Sequence, residues 1–309
     1  MKALLFPGQG SQTVGMGLEF YKKFNIVKKI FSDANEILNF KISKIILEGP
    51  ENELKLTQNT QPAIMLISYS IFSVLKQEKG INPKMFKFFA GHSLGEYSAL
   101  VCSNSLSFKD ALFLLKERGL AMQNAVPVGK GAMLAVLGCS VEEIKNFIKS
   151  IKSKNVCEIA NDNSKGQIIV SGEKNSVMEF KKILDDNKKK NIILPVSAPF
   201  HCSLMNKAAE EMRAKINSIS FNKPETSIVH NVTACTEKHE KIKDLLIKQI
   251  YSQVRWRESM EYMEKDGVTQ FIEIGPGKVL TGLAKRIVKK SKLLSINTLE
   301  DLESSQYES

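Results

Sequence analysis

Residues 85–95 read MFKFFAGHSLG, and this stretch decides how the chain around it folds. The apolar segment from Met85 to Ala90 predicts a buried strand, and a segment rich in small residues after it predicts a helix. Between them, Gly91-His92-Ser93-Leu94-Gly95 has the G-x-S-x-G pattern of a tight strand-to-helix turn that exposes a serine hydroxyl. N–H groups at a helix N-terminus stabilise negative charge, so Ser93 is a candidate nucleophile. The competing interpretation is a serine that only caps its helix.

Strand and helix patterns alternate outward from this turn, as a parallel sheet requires. Short apolar runs predict strands over 3–6, 227–230 and 270–274. Residues 63–75 are apolar nearly all round and predict a helix inside the core, with Pro62 in its first turn.

The pattern changes between residues 125 and 196. The predicted elements are a strand over 132–137, a helix opened by the capping box Ser140 to Glu143, strands over 156–160 and 167–171, a helix over 176–184 and a strand over 192–196. This β-α-β-β-α-β order, with a hairpin turn over 163–166, is typical of the ferredoxin-like unit. The sequence therefore predicts an α/β fold: a larger α/β-hydrolase-like catalytic domain with a parallel sheet over 1–124 and 197–309, and an inserted small ferredoxin-like domain over 125–196.

The composition is that of a globular protein, with 309 residues, 43% of them hydrophobic and 25% charged. The apolar run over 3–6 is too short for a signal segment, and no run is long enough to span a bilayer. The five cysteines are an odd number and lack C-x-x-C or Cys/His ligand spacing, which disfavours a disulfide framework and a metal site. We therefore expect a cytoplasmic protein without a membrane segment.

The net charge of +11 could attract nucleic acid or an acidic protein. The lysines are scattered along amphipathic segments, and the densest cluster, Lys188 to Lys190, has no interleaved aromatic residues. We therefore expect no nucleic-acid binding. A solvated lysine-rich surface explains the charge, and an acidic protein partner fits it equally well.

A serine nucleophile needs a base, and the chain has four histidines. His239 lies in a charged loop, His92 adjoins the serine and would point away from its hydroxyl, and His230 follows a strand, where a buried histidine with satisfied hydrogen bonds is the commoner outcome. His201 follows Ala198-Pro199-Phe200, a rigid loop that could present an imidazole at a cleft. The pattern favours His201 only slightly.

Arg118 is the most informative charged residue. The helix opened by Ser107 to Asp110 has its apolar stripe at Ala111, Leu114, Leu115 and Met122, and Arg118 lies on that stripe. A guanidinium directed toward a core needs an anion, because an unpaired buried charge is costly. An internal salt bridge and a substrate carboxylate are equally good candidates for that anion.

These motifs together resemble the malonyl-CoA:acyl carrier protein transacylases of type II fatty acid synthesis, over nearly the whole chain. The similar segments are Phe6-Pro7-Gly8-Gln9-Gly10-Ser11-Gln12, Thr60-Gln61-Pro62-Ala63, Gly91 to Tyr97, Arg118-Gly119 with Met122-Gln123, Ala198 to His201, Val254-Arg255-Trp256 and Glu273 to Leu280. One departure is Ser252-Gln253 before Val254, where many relatives have a proline.

The resemblance implies a catalytic pair, with Ser93 as the acylated nucleophile and His201 as its base. It implies that the backbone carbonyl of Gln249 orients the histidine, and that the backbone N–H groups of Gln9 and Leu94 form the oxyanion hole. The malonyl group would move from coenzyme A to the serine, and then to the phosphopantetheine thiol of an acyl carrier protein.

The resemblance also implies the basis of substrate choice. Arg118 would pair with the free malonyl carboxylate, and Phe200 resembles the residue found in malonyl-selective members. The family needs no metal or bound cofactor, and its acyl carrier protein would be the acidic partner that suits a net charge of +11. We expect a monomer.

Two alternatives remain at this point. The first is an acyltransferase of the same fold that serves a polyketide pathway or prefers another acyl group. The second is a serine thioesterase or other hydrolase, which shares the Ser93 turn but admits water; Arg118 on the apolar stripe and the lack of an obvious aspartate partner argue against it. A non-enzymatic binding protein is disfavoured because Ser93, His201 and Arg118 are all present.

Overall fold

A computed structural model describes residues 1–196 and 198–304. Ser197 and residues 305–309, which the sequence assigns to the larger domain, lie outside the described residues. The strands in chain order are β1 (Lys2–Phe6), β2 (Phe88–Gly91), β3 (Gly131–Leu137), β4 (Cys157–Ser164), β5 (Gln167–Glu173), β6 (Asn191–Ile193), β7 (Ser227–Val229), β8 (Gln270–Ile274) and β9 (Lys292–Ile296).

The helices pack around these strands. They are α1 (Leu18–Lys23), α2 (Asn25–Leu38), α3 (Ile42–Glu48), α4 (Glu51–Lys55), α5 (Thr57–Lys79), α6 (Gly95–Cys102), α7 (Phe108–Asn124), α8 (Val141–Lys149), α9 (Lys174–Asp186), α10 (Asn206–Ser218), α11 (Ile242–Tyr251), α12 (Trp256–Lys265), α13 (Val279–Ala284) and α14 (Leu299–Ser304). Short 3-10 turns cover Pro83–Met85, Ser203–Met205 and His239–Lys241. No helix in the described part of the chain is both long and apolar enough to cross a bilayer.

The strands form a parallel sheet and a separate antiparallel sheet, so the α/β class with a parallel sheet is confirmed. The parallel sheet has the order β7-β2-β1-β8-β9. Side chains alternate between its faces, as the period of a strand requires. Leu4, Phe6 and Phe89 face the larger core with helix α5, and Leu5 and Phe271 face a second core with Trp256.

The antiparallel sheet has the order β4-β5-β3-β6, and its strands lie within the predicted insert over 125–196. Leu134 and Val136 pack with helices α8 and α9 on one face, whereas Met133 and Ala135 on the other face belong to the larger core. The capping box predicted at Ser140 and Glu143 forms, with hydrogen bonds of 2.8 and 3.2 Å.

The antiparallel sheet is bonded to the segment that directly follows Ser252-Gln253. Val254 pairs with strand β4 through two backbone hydrogen bonds, from its N–H to the Ala160 carbonyl at 2.8 Å and from the Asp162 N–H to its carbonyl at 3.0 Å. Arg257 adds a two-pronged ion pair to the buried Asp162 carboxylate. These bonds tie the antiparallel sheet to the loop that leads into helix α12.

Several predicted element bounds were wrong. The strand predicted from Met85 begins only at Phe88, because Asn82 caps a 3-10 turn that starts at Pro83. The strand predicted over 192–196 ends at Ile193, because Pro195 has no N–H to donate to a ladder. The helix predicted to have Pro62 in its first turn begins earlier, at Thr57.

The extra turn before Pro62 is held by side chains. The Asn59 amide donates to the Glu53 carbonyl at 2.9 Å, and the Thr60 hydroxyl donates to the Leu54 carbonyl. These bonds tie the start of helix α5 to helix α4, so the proline is accommodated inside a helix rather than in its first turn. The remaining prediction for this segment is confirmed, since residues 63–68 and 70–75 are buried.

Candidate active site

The turn between strand β2 and helix α6 holds Ser93 in a left-handed backbone conformation, with φ of 53°. The glycines on either side permit the close packing that this turn needs. A Cβ on Gly91 would lie 1.9 Å from the Gly95 carbonyl carbon, and a Cβ on Gly95 would lie 2.2 Å from the Phe6 carbonyl oxygen. Any side chain at either position would therefore push the turn out of shape.

Ser93 and His201 meet although 108 residues separate them in the sequence. The Ser93 Oγ lies 2.8 Å from the His201 Nε2, and both residues are buried. The His201 Nδ1 lies 2.9 Å from the backbone carbonyl of Gln249 in helix α11. A carbonyl oxygen only accepts, so Nδ1 carries the proton and Nε2 is free to accept the serine proton.

The electrostatic surroundings keep His201 neutral. Burial and the nearby charge of Arg118 lower the pKa of His201 to about 3, although the hydrogen bond to Gln249 opposes the shift. The imidazole is therefore unprotonated over the physiological range. A neutral histidine next to a serine hydroxyl is in the state that a general base requires.

Arg118 in helix α7 is fully buried. Its Nη1 donates to Gln61 Oε1 at 2.7 Å, and its Nη2 donates to Ser93 Oγ at 3.1 Å and to Gln249 Oε1 at 2.9 Å. These partners are neutral, and none of the ion pairs among the described residues involves Arg118. Burial lowers the pKa of Arg118, and the charge of Glu96 opposes that shift. The internal salt bridge considered from the sequence is therefore not formed by direct contact.

Of the remaining predicted site residues, Leu94 follows Ser93 and Phe200 precedes His201 in the chain, and Gln9 follows Gly8, on which a Cβ would lie 2.5 Å from the His92 carbonyl oxygen. Leu94 is buried, and in the described part of the chain no acceptor bonds to the N–H groups of Gln9 or Leu94. Free N–H groups of this kind are able to bind an oxyanion. Phe200 is buried beside His201 and packs in the larger core.

The other histidines have different partners. His92 turns toward the antiparallel sheet, where its Nε2 lies 2.8 Å from Asn163 Oδ1, as its position next to Ser93 suggested. His230 is buried with its Nδ1 2.7 Å from Glu96 Oε1, which makes it a satisfied core histidine. His239 is exposed and lies next to the carboxylate of its neighbour Glu240.

Sequence reasoning missed a buried polar network behind Ser93. Asn231 clamps the turn, because its Oδ1 accepts from the Ser93 N–H at 2.7 Å and its Nδ2 donates to the Gly91 carbonyl at 2.7 Å. Glu96, buried in helix α6, accepts from the Asn231 N–H at 3.1 Å. The one available signal was Glu96 itself, a carboxylate in a helix whose other residues are uncharged.

Known proteins resemble this chain over nearly its whole length. The sequence family described as the acyl transferase domain matches residues 3–303 of this chain. The malonyl CoA-acyl carrier protein transacylase of Bacillus subtilis is 43% identical, over 97% of this chain and 95% of the relative. The protein of the same name from Escherichia coli K12 is 40% identical, over 96% of this chain and 95% of the relative.

Solved structures agree with these relatives. An acyl-carrier-protein-S-malonyltransferase from Bartonella henselae superposes with a TM-score of 0.95 at 41% identity, covering 98% of this chain and 97% of that one. A malonyl-transacylase in complex with its type II PKS acyl-carrier protein superposes with a TM-score of 0.94 at 40% identity, covering 98% of both chains. With a full-length match in sequence and in fold, this chain belongs to the acyl transferase family, among the malonyl CoA-acyl carrier protein transacylases.

Proposed function

We propose that this chain transfers the malonyl group of malonyl-CoA to the phosphopantetheine thiol of an acyl carrier protein through an ester on Ser93. One observation carries the proposal. The Ser93 hydroxyl lies 2.8 Å from the neutral base His201 and 3.1 Å from the buried cation Arg118. A nucleophile and a carboxylate-binding group meet at one oxygen atom, as a substrate with both a thioester and a carboxylate requires.

In the first half-reaction, His201 Nε2 takes the proton of Ser93 Oγ as the oxygen attacks the thioester carbonyl. The N–H groups of Gln9 and Leu94 stabilise the oxyanion of the tetrahedral intermediate. The C–S bond then breaks, the imidazolium returns its proton to the departing sulfur, and coenzyme A leaves as the thiol. Ser93 is left as a malonyl ester.

The second half-reaction repeats these steps with a new nucleophile. His201 takes the proton of the carrier's phosphopantetheine thiol as the sulfur attacks the serine ester. The C–O bond breaks, the proton returns to Ser93 Oγ, and malonyl carrier protein leaves. The 2.9 Å bond to the Gln249 carbonyl holds the imidazole in the same tautomer for both halves.

Arg118 selects the acyl group in this proposal. The guanidinium has only neutral hydrogen-bond partners and no direct carboxylate, so a malonyl carboxylate supplies the missing anion, whereas an acetyl group does not. The buried aromatic ring of Phe200 next to His201 limits branching at the acyl group. Both features favour malonyl transfer over a general thioesterase.

The polyketide alternative shares this chemistry and differs in the carrier. A solved structure of 40% identity is a malonyl-transacylase bound to its type II PKS acyl-carrier protein, which supports a carrier protein as partner in either pathway. We propose the fatty acid pathway because the motifs resemble the transacylases of type II fatty acid synthesis, and the relatives from Bacillus subtilis and Escherichia coli are named malonyl CoA-acyl carrier protein transacylases. Comparing transfer to a fatty acid carrier and to a polyketide carrier distinguishes the two.

We also propose a finer assignment of the two parts of the fold. The order β4-β5-β3-β6 places the insert's strands as 2-3-1-4, which supports the ferredoxin-like assignment over 125–196. A serine turn between a parallel strand and a helix supports an α/β-hydrolase-like domain over 1–124 and 197–309. Five free thiols, at Cys102, Cys139, Cys157, Cys202 and Cys235, support a reducing cytoplasmic location. We also propose that the chain is a monomer and that its carrier protein is acidic.

A transfer assay tests the function. Malonyl-CoA and the chain are incubated with carrier protein bearing phosphopantetheine, with the same carrier lacking it, or with neither, and products are identified by mass. We expect malonylation of the first carrier only, with one coenzyme A released per carrier modified. Release of coenzyme A at the same rate without any carrier would identify a hydrolase and contradict the proposal.

A further inference from the structure

A buried carboxylate lies behind the nucleophile and takes no part in the steps above. Glu96 accepts three hydrogen bonds, from the His230 Nδ1 at 2.7 Å, the Asn231 N–H at 3.1 Å and the Gln249 Nε2 at 2.7 Å. Only 1% of its surface is exposed. Carboxylates are almost never buried this deeply unless their charge is matched.

The side chain of Gln249 spans the space between this anion and the buried cation. Its Oε1 accepts from Arg118 Nη2 at 2.9 Å, while its Nε2 donates to Glu96 Oε2 at 2.7 Å and to the Ser93 carbonyl at 3.1 Å. One amide group is thus hydrogen-bonded to both charges. Its dipole is aligned with them, since the oxygen faces the cation and the N–H faces the anion.

Of the two acidic groups that act on Arg118, Tyr97 and Glu96, Glu96 is left as the counter-charge, and it also contacts His230 Nδ1 at 2.7 Å. Burial lowers the pKa of Arg118, and the negative charge of Glu96 raises it. Burial also raises the pKa of Tyr97 to about 12, so the phenol under the guanidinium is neutral. His201 is neutral as well, because its pKa is lowered to about 3.

Arg118 also retains an unused donor. Its Nε is buried and has no hydrogen-bond partner within the described residues. A buried donor without an acceptor is costly, and a direct carboxylate contact would remove that cost in the free protein. The side-chain amide of Gln249 lies between the Glu96 carboxylate and Arg118 Nη2 and bonds to both.

We propose that Glu96 is the resident counter-ion of Arg118, and that the side-chain amide of Gln249 holds the two apart so that the guanidinium stays open to a substrate carboxylate. The inference rests on the proposed role of Arg118 in binding malonyl. Glu96 compensates the cation through space without occupying its donors, because Coulomb attraction extends beyond contact in a poorly solvated site. Glu96 and Gln249 are positioning residues for selectivity.

The affinity for free malonate, measured by calorimetry, is expected to change in opposite directions in two variants. Glu96→Gln removes the resident anion, so it lowers the melting temperature but tightens malonate binding roughly fivefold to tenfold, the size of a typical coupling between sites. The second variant carries both Glu96→Gln and Gln249→Glu, so the two side chains are exchanged. This exchange variant keeps one buried anion but places it in direct contact with Arg118. That variant weakens malonate binding by at least about tenfold.

A matched control separates these effects from a loss of packing. Glu273 is also a buried carboxylate, and it caps helix α13 through the N–H groups of Leu280 and Thr281 on the opposite face of the parallel sheet. Glu273→Gln lowers the melting temperature and leaves malonate affinity unchanged. A structural role alone predicts that Glu96→Gln behaves like this control.

The inference is overturned if Glu96→Gln leaves malonate affinity unchanged or weakens it. Where Glu96→Gln does not fold, the exchange variant decides, and wild-type malonate affinity in that variant overturns the inference. Failure of the proposed function has a different signature. In that case the wild-type protein does not bind malonate, or binds it as well after Arg118→Ala.

Discussion

Replacing Arg118 by alanine separates a substrate-binding role from a structural one. The guanidinium is fully buried and donates to Gln61, Ser93 and Gln249 at 2.7 to 3.1 Å. Without it, the malonyl carboxylate enters a poorly solvated pocket unpaired. Breaking a buried charge pair on one side costs roughly 3 to 5 kcal/mol, so the rate of malonyl loading falls roughly 10²- to 10⁴-fold.

Acetyl-CoA provides the internal reference, because it lacks the carboxylate. Its loading loses only the Arg118 bond to the Ser93 hydroxyl, which is 3.1 Å long and worth about 1 kcal/mol net, or roughly fivefold. The preference for malonyl over acetyl therefore collapses. The assay measures both loading rates by rapid quench and intact mass on one preparation, with a melting curve recorded alongside.

Arg255→Ala is the matched control. Arg255 is a part-buried arginine that pairs with Glu258 and with backbone carbonyls of Val232 and Thr233. Its loss lowers stability and leaves the ratio of the two loading rates as in wild type. If Arg118→Ala also lowers stability with that ratio intact, Arg118 is a structural residue and the reasoning about the substrate is refuted.

Further predictions concern the turn, the base and the carrier. Gly91→Ala places a Cβ 1.9 Å from the Gly95 carbonyl carbon, so this variant loses folding or malonyl loading. Gly282→Ala in helix α13 places a Cβ with nothing within 4 Å, so it raises the free energy of unfolding by about 0.5–1 kcal/mol. Denaturant titration of both variants measures these changes. Because the pKa of His201 is 6.5 in a free chain and about 3 when folded, the unfolded state binds the extra proton, and stability falls as pH drops below about 6.5. From pH 7 to 5, wild type loses roughly 2 kcal/mol more than His201→Gln, and equal losses would contradict the buried neutral imidazole. With a net charge of +11, transfer to carrier protein weakens as salt rises while transfer to free pantetheine changes little; equal salt sensitivity would exclude a docking role for the charge.

Local sequence predicted the elements whose determinants are close together in the chain. The strand, turn and helix around Ser93 lie within consecutive residues, and the Ser140–Glu143 box lies within one helical turn, so both formed as expected. Element ends were less predictable. The start of helix α5 depends on bonds from Asn59 and Thr60 to helix α4, and such bonds between helices leave no periodic pattern.

The site shows the same limit. Ser93, His201 and Arg118 are brought together across sequence separations of 108 and 25 residues, which no local pattern encodes. Residue types alone favoured His201 only slightly among the histidines, and the family resemblance supplied the position. For Arg118 the sequence left open whether the anion is an internal carboxylate or a substrate carboxylate. In the structure the side-chain amide of Gln249 lies between Arg118 and Glu96 and is hydrogen-bonded to both.

The most direct test of the central claim is the intact mass of the protein after incubation with malonyl-CoA and no thiol acceptor, followed by mapping of the modified residue. A transfer through a serine ester must load the enzyme before the carrier arrives. We predict one malonyl group per chain, on Ser93, and none on Ser93→Ala. Malonylation of Ser93→Ala, or a group mapped to a thiol such as Cys235, would contradict the account.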